Sequence, residues 1–369
     1  MQKSIVLCGN TAWGMLNFRK DLIQAFLAQG HTVTVLAPPA SEADEIESLG
    51  ARFVPVTIHS KGKNPISELR SAYEIFSTLK RLSPHIVFSF TIKSVSYCGV
   101  ACRLLNIQHV PTITGMGSAF ITRSWVTHVA ISFYKISCAK ARTVFFLNES
   151  DKEFFLEARI VSPDNARIIP GEGIDVDHFS PSGESATRVS GKFRFLYCGR
   201  VLAEKGFLEL IDAAKRLKSF GLQVEVHVVG FADWANPSAI REDQLQNWED
   251  EGLIIFHGPT KDVRPYIWNS DCIVLPSYRE GLSRILLEAA AMECPMIASD
   301  VPGCKEIVRD GITGYLCAAR DAESLAATMK SVAELPQERI RQLGVNARKL
   351  IIAEFSSAEV SRRYLSLMN

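Results

Sequence analysis

The stretch Asp271-Cys-Ile-Val-Leu-Pro-Ser-Tyr-Arg-Glu280-Gly-Leu-Ser-Arg-Ile-Leu-Leu-Glu288 decides the fold of this 369-residue chain. Its apolar beginning predicts a short buried strand that Pro276 ends, and the apolar spacing after Gly281 predicts a helix from Ser283 to Met292. A helix that begins at the carboxyl end of a parallel strand offers unpaired N–H groups and a partial positive charge. We therefore expect free amides at about residues 281–284, an environment that suits a phosphate.

Two carboxylates flank this predicted helix start, since Glu280 lies just before the helix and Glu288 lies on it. Ionised carboxylates only accept hydrogen bonds, so such a pair suits the hydroxyl groups of a sugar. Two glutamates at this spacing, taken alone, are better explained by a helix cap and a surface charge. The interpretation as a ligand site therefore depends on a second motif elsewhere in the chain.

The second motif lies upstream, where an apolar run that begins at Phe195 ends in Gly199 and Arg200. Lys205 follows just before a predicted helix, Phe207 to Ser219. Arg200 and Lys205 stand on one strand-to-helix turn, so both cations can reach a single anionic ligand from the loop. Taken alone, they would be interpreted as solvated surface charges.

Together these motifs, G-R-x4-K-G from Gly199 and E-x7-E from Glu280, resemble the carboxyl-terminal half of retaining glycosyltransferases of family 4. The resemblance covers nearly the whole chain, and further stretches follow in the order of that family: Val226–Gly230, Ile254–Thr260, Pro295–Ser299 and Asp310–Gly314. One departure is that Glu293-Cys294 stands where the family usually has a glycine before the proline. The resemblance implies an α/β fold of the GT-B class, with two doubly wound Rossmann-like domains facing across a cleft.

The resemblance also implies roles for residues at this predicted site. Arg200, Lys205 and Glu280 are the expected catalytic residues, because negative charge grows on the leaving nucleoside diphosphate. Glu288 is expected to bind the ribose hydroxyls, and Glu280 those of the donor sugar. The remaining expected donor-binding residues are Gly281, Leu282, Ser283, Gly258 and Thr260. Neither a metal ion nor another cofactor is expected, and the departing phosphate itself is expected to deprotonate the acceptor.

The amino-terminal half supplies candidates for the acceptor side of the reaction. The loop after the first predicted strand, Gly9 to Gly14, lacks the middle glycine of a dinucleotide fingerprint, which argues against an NAD-dependent dehydrogenase. A helix is predicted after this loop, around Phe18 to Gln29. Asn17-Phe18-Arg19 resembles a motif of bacterial members, and Thr114-Gly-Met-Gly-Ser118 resembles a loop of enzymes that build lipid-linked oligosaccharides. The resulting candidates are Asn10, Gly14, Asn17, Lys93, Gly115 and Gly117. For Lys93, contact with an acceptor phosphate and simple solvation are equally open.

Alternation of predicted strands and helices indicates two doubly wound units with mostly parallel sheets. We expect an amino-terminal acceptor-binding domain over residues 1–175 and a carboxyl-terminal nucleotide-sugar domain over residues 190–355. The stretch from Gly171 to Gly191, rich in Gly, Ser and Pro, is the predicted linker. In the resembling fold, the terminal helix at residues 356–369 crosses back to pack on the first domain.

Charge is distributed unevenly along the chain, although the net charge is only +1. Between residues 51 and 148 there are twelve basic side chains, and only Glu68 and Glu74 oppose them. Such a segment seeks anionic surfaces. It lacks a recognisable nucleic-acid module, so we expect no nucleic acid and favour the anionic inner leaflet of the cytoplasmic membrane.

Composition favours a cytoplasmic protein on that membrane. The nine cysteines are scattered without metal-ligand spacing, so buried and reduced thiols are expected. A strand that begins at Ser4 leaves no room for a secretion signal. No stretch of 18 uncharged apolar residues occurs, so a peripheral association is expected rather than a spanning one.

The resemblance and the charge pattern together imply a metal-independent, retaining enzyme that moves a hexose or an N-acetylhexosamine, similar to GalNAc or GlcNAc, from a UDP-sugar. The expected acceptor is a polyprenyl-diphosphate-linked glycan of bacterial surface polysaccharide assembly. Two alternatives stay open. A GT-B-fold nucleotide-sugar epimerase would need no acceptor, and a non-catalytic peripheral membrane protein would only bind sugar nucleotides.

Overall fold

A computed structural model describes residues 1–59, 64–115, 125–181, 191–232, 236 and 238–368, and for residues 125–130 it describes the backbone alone. The chain divides into two compact units. The first comprises Met1–Gly173 together with Ser357–Asn369, and the second comprises Ile174–Ser356. The second unit thus includes residues 174–181, which the sequence pattern assigns to the linker.

The first unit alternates between strands and helices. Its elements before the carboxyl terminus are β1 (Ser4–Cys8), α1 (Ala12–Ala28), β2 (Thr32–Ala37), α2 (Ala43–Ser48), β3 (Arg52–Pro55), α3 (Pro65–Leu82), β4 (Ile86–Phe90), α4 (Ile92–Leu105), β5 (Gln108–Ile113), α5 (Trp125–Cys138), β6 (Val144–Phe146), α6 (Glu149–Glu157) and β7 (Ala166–Ile168). The strands pair in parallel in the order β3-β2-β1-β4-β5-β6-β7, so the strand order reverses between β1 and β4. The central strands β1, β4 and β5 are buried along almost their whole length, as in a sheet that helices cover on both faces.

The first helix, α1, begins six residues earlier than the sequence pattern predicts, at Ala12 instead of Phe18. Thr11 adopts an extended conformation and caps the helix, because its hydroxyl accepts a hydrogen bond from the amide of Gly14 at 3.0 Å. The prediction of a loop from Gly9 to Gly14 is therefore wrong for its second half. The sequence pattern also gave no sign of the short helix α2.

The second unit repeats the same architecture. Its elements are β8 (Phe193–Cys198), α7 (Phe207–Ser219), β9 (Val224–Val229), α8 (Glu242–Asp250), β10 (Ile255–Phe256), α9 (Arg264–Trp268), β11 (Cys272–Leu275), α10 (Arg284–Ala291), β12 (Met296–Ser299), β13 (Gly314–Cys317), α11 (Ala322–Ala333) and α12 (Gln337–Leu350). The strands pair in parallel in the order β10-β9-β8-β11-β12-β13. The strand order therefore reverses between β8 and β11, which is the doubly wound arrangement that the sequence predicts.

The last helix, α13 (Ser357–Leu365), belongs to the first unit and packs against α1. Tyr364 is fully buried there, and its hydroxyl lies 2.8 Å from the hydroxyl of Thr112 on β5. The ring of Tyr364 makes edge contacts with Phe88 and Phe145. The end of the chain is thus part of the core of the amino-terminal unit.

The described part of the chain contains no helix that is both long enough and apolar enough to cross a bilayer. Eight of the nine cysteines are buried, Cys198 is half-buried, and none of them forms a disulfide. Burial raises the pKa of Cys102, Cys138 and Cys294 to about 12, so these thiols stay protonated at neutral pH.

Candidate active site

The sequence motifs of the second unit meet at the carboxyl edge of its sheet, where β8 and β11 end side by side. Gly199 and Arg200 follow β8 directly, and Pro276 to Glu280 follow β11. The strand order reverses between these two strands, and doubly wound sheets bind ligands outside the strand ends at such a point. The predicted site therefore lies at the position where doubly wound sheets bind their ligands.

Lys205 and Glu280 form an ion pair at this edge, with Lys205 Nζ 2.6 Å from Glu280 Oε1. The Ser277 hydroxyl donates a second hydrogen bond to the same carboxylate oxygen at 2.7 Å. Ser277 is buried, and the side chains of Lys205 and Glu280 are 18% and 14% exposed. The structure thus brings together two predicted site residues that lie 75 positions apart in the sequence.

Backbone packing fixes the distance between the two loops that carry this pair. Gly206 has a φ of 71°, and a Cβ atom placed on it would lie 2.0 Å from the carbonyl oxygen of Pro276. The amide of Tyr278 donates to the Glu204 carbonyl at 3.0 Å. A side chain at position 206 would push the loops apart, so this glycine lets the motif lysine reach the motif glutamate.

Arg200 presents an exposed guanidinium that forms no ion pair or hydrogen bond with the part of the chain that the structure describes. Its position is set through its backbone, since its carbonyl accepts a 2.7 Å hydrogen bond from the Tyr197 hydroxyl. Tyr197 is fully buried, and burial raises its pKa well above the ordinary value, so its hydroxyl stays a donor. An arginine that is held in place without a protein counter-ion suits an anionic ligand, and its planar fork matches phosphate oxygens.

Glu288 lies on α10 and forms an ion pair with Arg284, whose Nε is 2.8 Å from Glu288 Oε1. The Glu288 side chain is only 13% exposed, and burial raises its pKa against the opposing effect of the guanidinium. The charge of Asp262 raises that pKa further. Burial, and then the charge of Glu288, raise the pKa of Cys198 to about 12. These charge effects place the Glu288 carboxylate within electrostatic range of Cys198, at the end of β8, and of Asp262, in the loop after β10.

The amides before α10 are not all the free donors that the sequence predicts. α10 begins at Arg284, and the amide of Ser283 donates to the Gly303 carbonyl at 3.0 Å. The amide of Glu280 likewise donates to the Pro302 carbonyl at 3.1 Å. The prediction of a free amide is therefore wrong at Ser283, because the loop after β12 takes its hydrogen bond. The helix N-terminus, with its partial positive charge, lies one residue later than expected.

The loop after β12 packs closely on the motif loop. Gly303 has a φ of 84°, and a Cβ atom on it would lie 2.5 Å from the carbonyl group of Glu280. Gly281 and Leu282 follow this contact and are half-buried, and Leu282 packs on the core of the second unit. Both predicted residues therefore lie at the site, and the side chain of Leu282 also has a packing role.

Gly258 and Thr260 lie in the loop after β10, at the same edge of the sheet. The Gly258 carbonyl accepts a 2.9 Å hydrogen bond from the amide of Gly230, which follows β9. A Cβ atom on Gly230 would lie 1.8 Å from the Gly199 carbonyl oxygen, so the loops after β8, β9 and β10 are in close contact. The Thr260 hydroxyl accepts from the Asp262 amide at 3.1 Å and thereby fixes the turn of its own loop.

Two residues of the site were not among those predicted from the sequence. Ser277 orients Glu280, and Arg284 pairs with Glu288. The spacing of Arg284 and Glu288 is that of a helical ion pair, so this contact could have been found from the sequence. A serine that follows a strand has no distinguishing pattern, and only the three-dimensional structure identifies Ser277.

In the first unit, most acceptor candidates lie beside the reversal of strand order between β1 and β4. Asn10 follows β1, and Gly14 and Asn17 lie on α1. Asn17 is exposed, and its side-chain amide donates to a backbone carbonyl within α1 at 2.9 Å. Gly115 follows β5, whereas Gly117 lies outside the described residues.

Lys93 lies on the first turn of α4 and is held by an acidic partner. Its Nζ lies 2.7 Å from Glu68 Oε1, and it also donates to the His59 carbonyl. Tyr97 donates to the other carboxylate oxygen of Glu68. Burial raises the pKa of Glu68, but the hydrogen bonds from Lys93 and Tyr97 outweigh it and hold that pKa below the ordinary value. Lys93 is therefore not a simply solvated lysine, and an acceptor phosphate would compete with Glu68 for it.

Comparisons with known proteins agree on one family. Residues 192–334 match the family model described as glycosyl transferases group 1, and residues 4–148 match the model described as glycosyl transferase 4-like. The N,N'-diacetylbacillosaminyl-diphospho-undecaprenol alpha-1,3-N-acetylgalactosaminyltransferase of Campylobacter jejuni is 25% identical over 366 residues, which cover 95% of this chain and 94% of that protein. The UDP-Gal:alpha-D-GlcNAc-diphosphoundecaprenol alpha-1,3-galactosyltransferase of Escherichia coli is 24% identical over 319 residues, which cover 84% and 81%.

Solved structures give the same fold. HepE of Anabaena, in complex with UDP and glucose, matches with a TM-score of 0.83 at 17% identity and covers 100% of this chain and 99% of its own. A glycosyltransferase of Rickettsia africae matches with a TM-score of 0.79 at 20% identity, and the match covers 99% and 97%. The GT-B fold is thereby confirmed, with one Rossmann-like sheet in each unit. Since the two family models also account for both units, the chain belongs to the GT-B glycosyltransferases of family 4 and is a hexosyltransferase.

Proposed function

We propose that this protein transfers a hexose or an N-acetylhexosamine from a UDP-sugar to a polyprenyl-diphosphate-linked glycan, with retention of configuration and without a metal ion. The observation that carries the proposal is the Lys205–Glu280 ion pair beside Arg200, whose guanidinium has no partner among the described residues. The relatives from C. jejuni and E. coli support the acceptor class, because their names describe diphosphoundecaprenol-linked substrates. The HepE complex with UDP and glucose supports a UDP-linked donor.

The donor end of the site suits a diphosphate because two cations belong to one strand-to-helix turn. Arg200 and Lys205 follow the end of β8, and both can approach phosphate oxygens from there. In the reaction, the bond between the anomeric carbon and the phosphate oxygen breaks, and its electron pair stays on UDP. The new negative charge then lies beside the two cations, which lowers the barrier. This is the charge stabilisation that a divalent metal ion supplies in other enzymes.

Retention requires the acceptor hydroxyl to attack the face of the sugar that the phosphate leaves. The acceptor oxygen forms the new bond to the anomeric carbon, and the departing phosphate oxygen takes the hydroxyl proton. No protein base is needed in this step. Glu280 is then available for the hydroxyls of the donor sugar, and Glu288 for those of the ribose, because both are hydrogen-bond acceptors at the strand edge.

We place the reaction on the inner face of the cytoplasmic membrane, where a polyprenyl-linked acceptor is embedded. The support for this is the excess of basic residues between 51 and 148, since each lysine or arginine near an anionic leaflet adds about 1 kcal/mol of attraction. Lys93 is the candidate for an acceptor phosphate in that unit. It would exchange Glu68 for the phosphate when the acceptor binds.

The proposal is tested by incubating the purified protein with a panel of UDP-sugars and polyprenyl-diphosphate-linked acceptors in the presence of a chelator. We expect one donor and acceptor pair to give UDP and an elongated lipid-linked glycan. Nuclear magnetic resonance of the product should show the anomeric configuration of the donor. An inverted product, or an absolute requirement for added metal, would contradict that part of the proposal. Isomerisation of a UDP-sugar in the absence of acceptor would favour the epimerase instead.

A further inference from the structure

An apolar stripe runs along the exposed side of α3. Ile66, Leu69 and Tyr73 are 78%, 72% and 71% exposed. At 3.6 residues per turn, these positions fall within about 60° of arc on one face of the helix. The opposite face carries Ile75 and Leu79, which are fully buried in the core of the first unit. We call Ile66, Leu69 and Tyr73 the α3 stripe.

Neighbouring helices of the same layer carry further exposed apolar side chains. α3 packs against α4, and α4 packs against α5, so the three helices form one layer. Leu104 of α4 is 71% exposed, and Phe133 and Ile136 of α5 are 52% and 46% exposed. Apart from Met1, the four most exposed large apolar side chains among the described residues all lie on α3 and α4. Single exposed apolar side chains are normal, but three on one face of a helix mark an interaction surface.

The same layer carries an excess of positive charge. Its exposed basic side chains are Arg70, Lys80 and Arg81 on α3, Arg103 on α4 and Lys135 on α5. The acidic residues of the three helices are Glu68 and Glu74. Glu68 pairs with Lys93, and Glu74 accepts a hydrogen bond from the amide of Thr57 at 3.2 Å. The layer therefore combines an apolar stripe with a net positive charge.

We infer that the α3 stripe inserts into the headgroup region of an anionic phospholipid bilayer, with the basic side chains of α3, α4 and α5 against the lipid phosphates. Helices that lie in a membrane interface have this composition, with exposed aromatic and aliphatic residues flanked by lysine and arginine. A nucleic acid would satisfy the charge but would leave the stripe in water. The bilayer is the occupant that buries the apolar side chains and neutralises the basic ones together.

The position of the stripe relates it to the acceptor candidate of the first unit. Glu68, on the first turn of α3, holds the ammonium of Lys93 at 2.7 Å, and Ile66 and Leu69 lie on the same turn of the helix. Glu68 faces away from the stripe, so a bilayer against the stripe would lie about one helix diameter, roughly 10–12 Å, from Lys93 across α3. This relation rests on the proposed function, in which the acceptor diphosphate sits at the membrane surface, whereas bilayer insertion itself does not.

Vesicle co-sedimentation of the whole protein tests the inference. The vesicles are phosphatidylcholine alone or an equimolar mixture with phosphatidylglycerol, each at low and high salt. We expect the protein to bind the anionic vesicles. High salt screens the basic side chains, but part of the protein should stay bound at high salt because the stripe contributes an apolar component. The triple variant Ile66→Ser, Leu69→Ser, Tyr73→Ser should lose that fraction and lower the partition coefficient about tenfold or more.

A matched control removes three exposed apolar side chains from the second unit: Leu208→Ser, Phe220→Ser and Ile312→Ser, at positions that are 43%, 54% and 54% exposed. This control should bind vesicles like the wild type. Equal vesicle binding by the two triple variants would overturn the inference. A dimer that the wild type forms without vesicles, and that the stripe variant abolishes, would overturn it too, because the stripe would then be an interface between copies of this chain.

A second measurement does not depend on the folding of the triple variant. Leu69→Cys labelled with an environment-sensitive fluorophore should shift its emission to shorter wavelength when anionic vesicles are added, whereas labelled Leu208→Cys should not. An unchanged spectrum at position 69 would contradict insertion. The proposed transfer reaction is tested separately by measuring UDP-sugar binding, because the proposed donor-binding residues lie in the second unit. If the wild-type protein binds anionic vesicles but no UDP-sugar, the transfer proposal is refuted and the inference about the membrane surface is unaffected.

Discussion

Replacing Lys205 by alanine removes one of the two cations proposed to face the leaving diphosphate. The ammonium lies 2.6 Å from Glu280 and the Lys205 side chain is 18% exposed, so the charge acts in a partly water-excluded environment. At an effective dielectric constant of about 20, a unit charge about 4 Å from a phosphate oxygen contributes about 4 kcal/mol. Loss of one charge-stabilising donor in an enzyme lowers turnover by about 10²–10³-fold. These two magnitudes agree, and we expect Lys205→Ala to lower kcat by about 10²–10³-fold.

The assay is steady-state release of UDP at saturating acceptor, with kcat and KM determined separately. The charge grows in the transition state, so kcat should fall more than KM rises. The variant Lys205→Arg keeps the positive charge, so it should retain more of the wild-type kcat than Lys205→Ala does. The matched control is Lys218→Ala, at the far end of α7, where the lysine donates to the Glu251 carbonyl at 2.7 Å. This control should leave kcat unchanged.

A double-mutant cycle with Glu280→Gln sharpens this test. Lys205 and Glu280 are in direct contact, so the two substitutions should be non-additive in their effect on the barrier. The urea unfolding midpoints of the single and double variants must stay close to that of the wild type, so that the differences in kcat reflect the site and not the stability of the fold. A kcat for Lys205→Ala within about threefold of the wild type would refute the assignment, and so would an equal loss in the Lys218→Ala control.

Three further substitutions test the architecture of the site. Gly206→Ala places a Cβ atom 2.0 Å from the Pro276 carbonyl oxygen, so urea titration should show a loss of about 2–4 kcal/mol in the free energy of unfolding. Gly221→Ala, with a similar φ in open space, should lose only about 1 kcal/mol, and equal losses would refute the steric argument. Arg200→Ala should weaken UDP binding about tenfold or more in calorimetry without changing unfolding, because the guanidinium is exposed and has no partner among the described residues; unchanged affinity would remove it from the site. Glu288→Gln should weaken UDP-sugar binding. Burial raises the pKa of Glu288 above 4.5, so the wild type should lose stability relative to this variant as pH rises from 4.5 through the folded-state pKa; parallel unfolding curves over that range would contradict it.

The elements around the site could be predicted because each depends on a local signal. Helix α7 has the predicted bounds, Phe207–Ser219, since a glycine precedes it and its apolar residues recur with helical spacing. The strand before the motif glutamate was predicted from Asp271 to Leu275, and the observed β11, Cys272–Leu275, begins one residue later. The prediction was possible because the chain has an apolar run there and a proline stops it. The strand order then follows from the alternation of strands and helices, which places both motif loops at one edge.

The partners of individual polar groups could not be predicted, because they come from loops that are distant in the sequence. Nothing near Ser283 indicates that Gly303 accepts its amide hydrogen bond. Lys93 stands 25 positions from Glu68, and only the packing of α3 on α4 brings them together. The early start of α1 was missed for a different reason. Its cap, Thr11, is a strong signal, but the first turns contain glycine and asparagine, which have low helix propensity.

The ion pair between Lys205 and Glu280 explains how two charged side chains are tolerated at this partly buried edge of the sheet. Two partly buried charges that face each other avoid the cost of an unpaired charge, and this cost would fall on both residues if either one were alone. In the proposed donor complex, the diphosphate gives Lys205 a partner with more negative charge, and Glu280 gives up the ammonium. The buried Ser277 hydroxyl, 2.7 Å from the same carboxylate oxygen, still holds Glu280 in place at that moment. If the proposed roles hold, this hydrogen bond keeps the glutamate oriented for the sugar hydroxyls while the lysine turns to the phosphate.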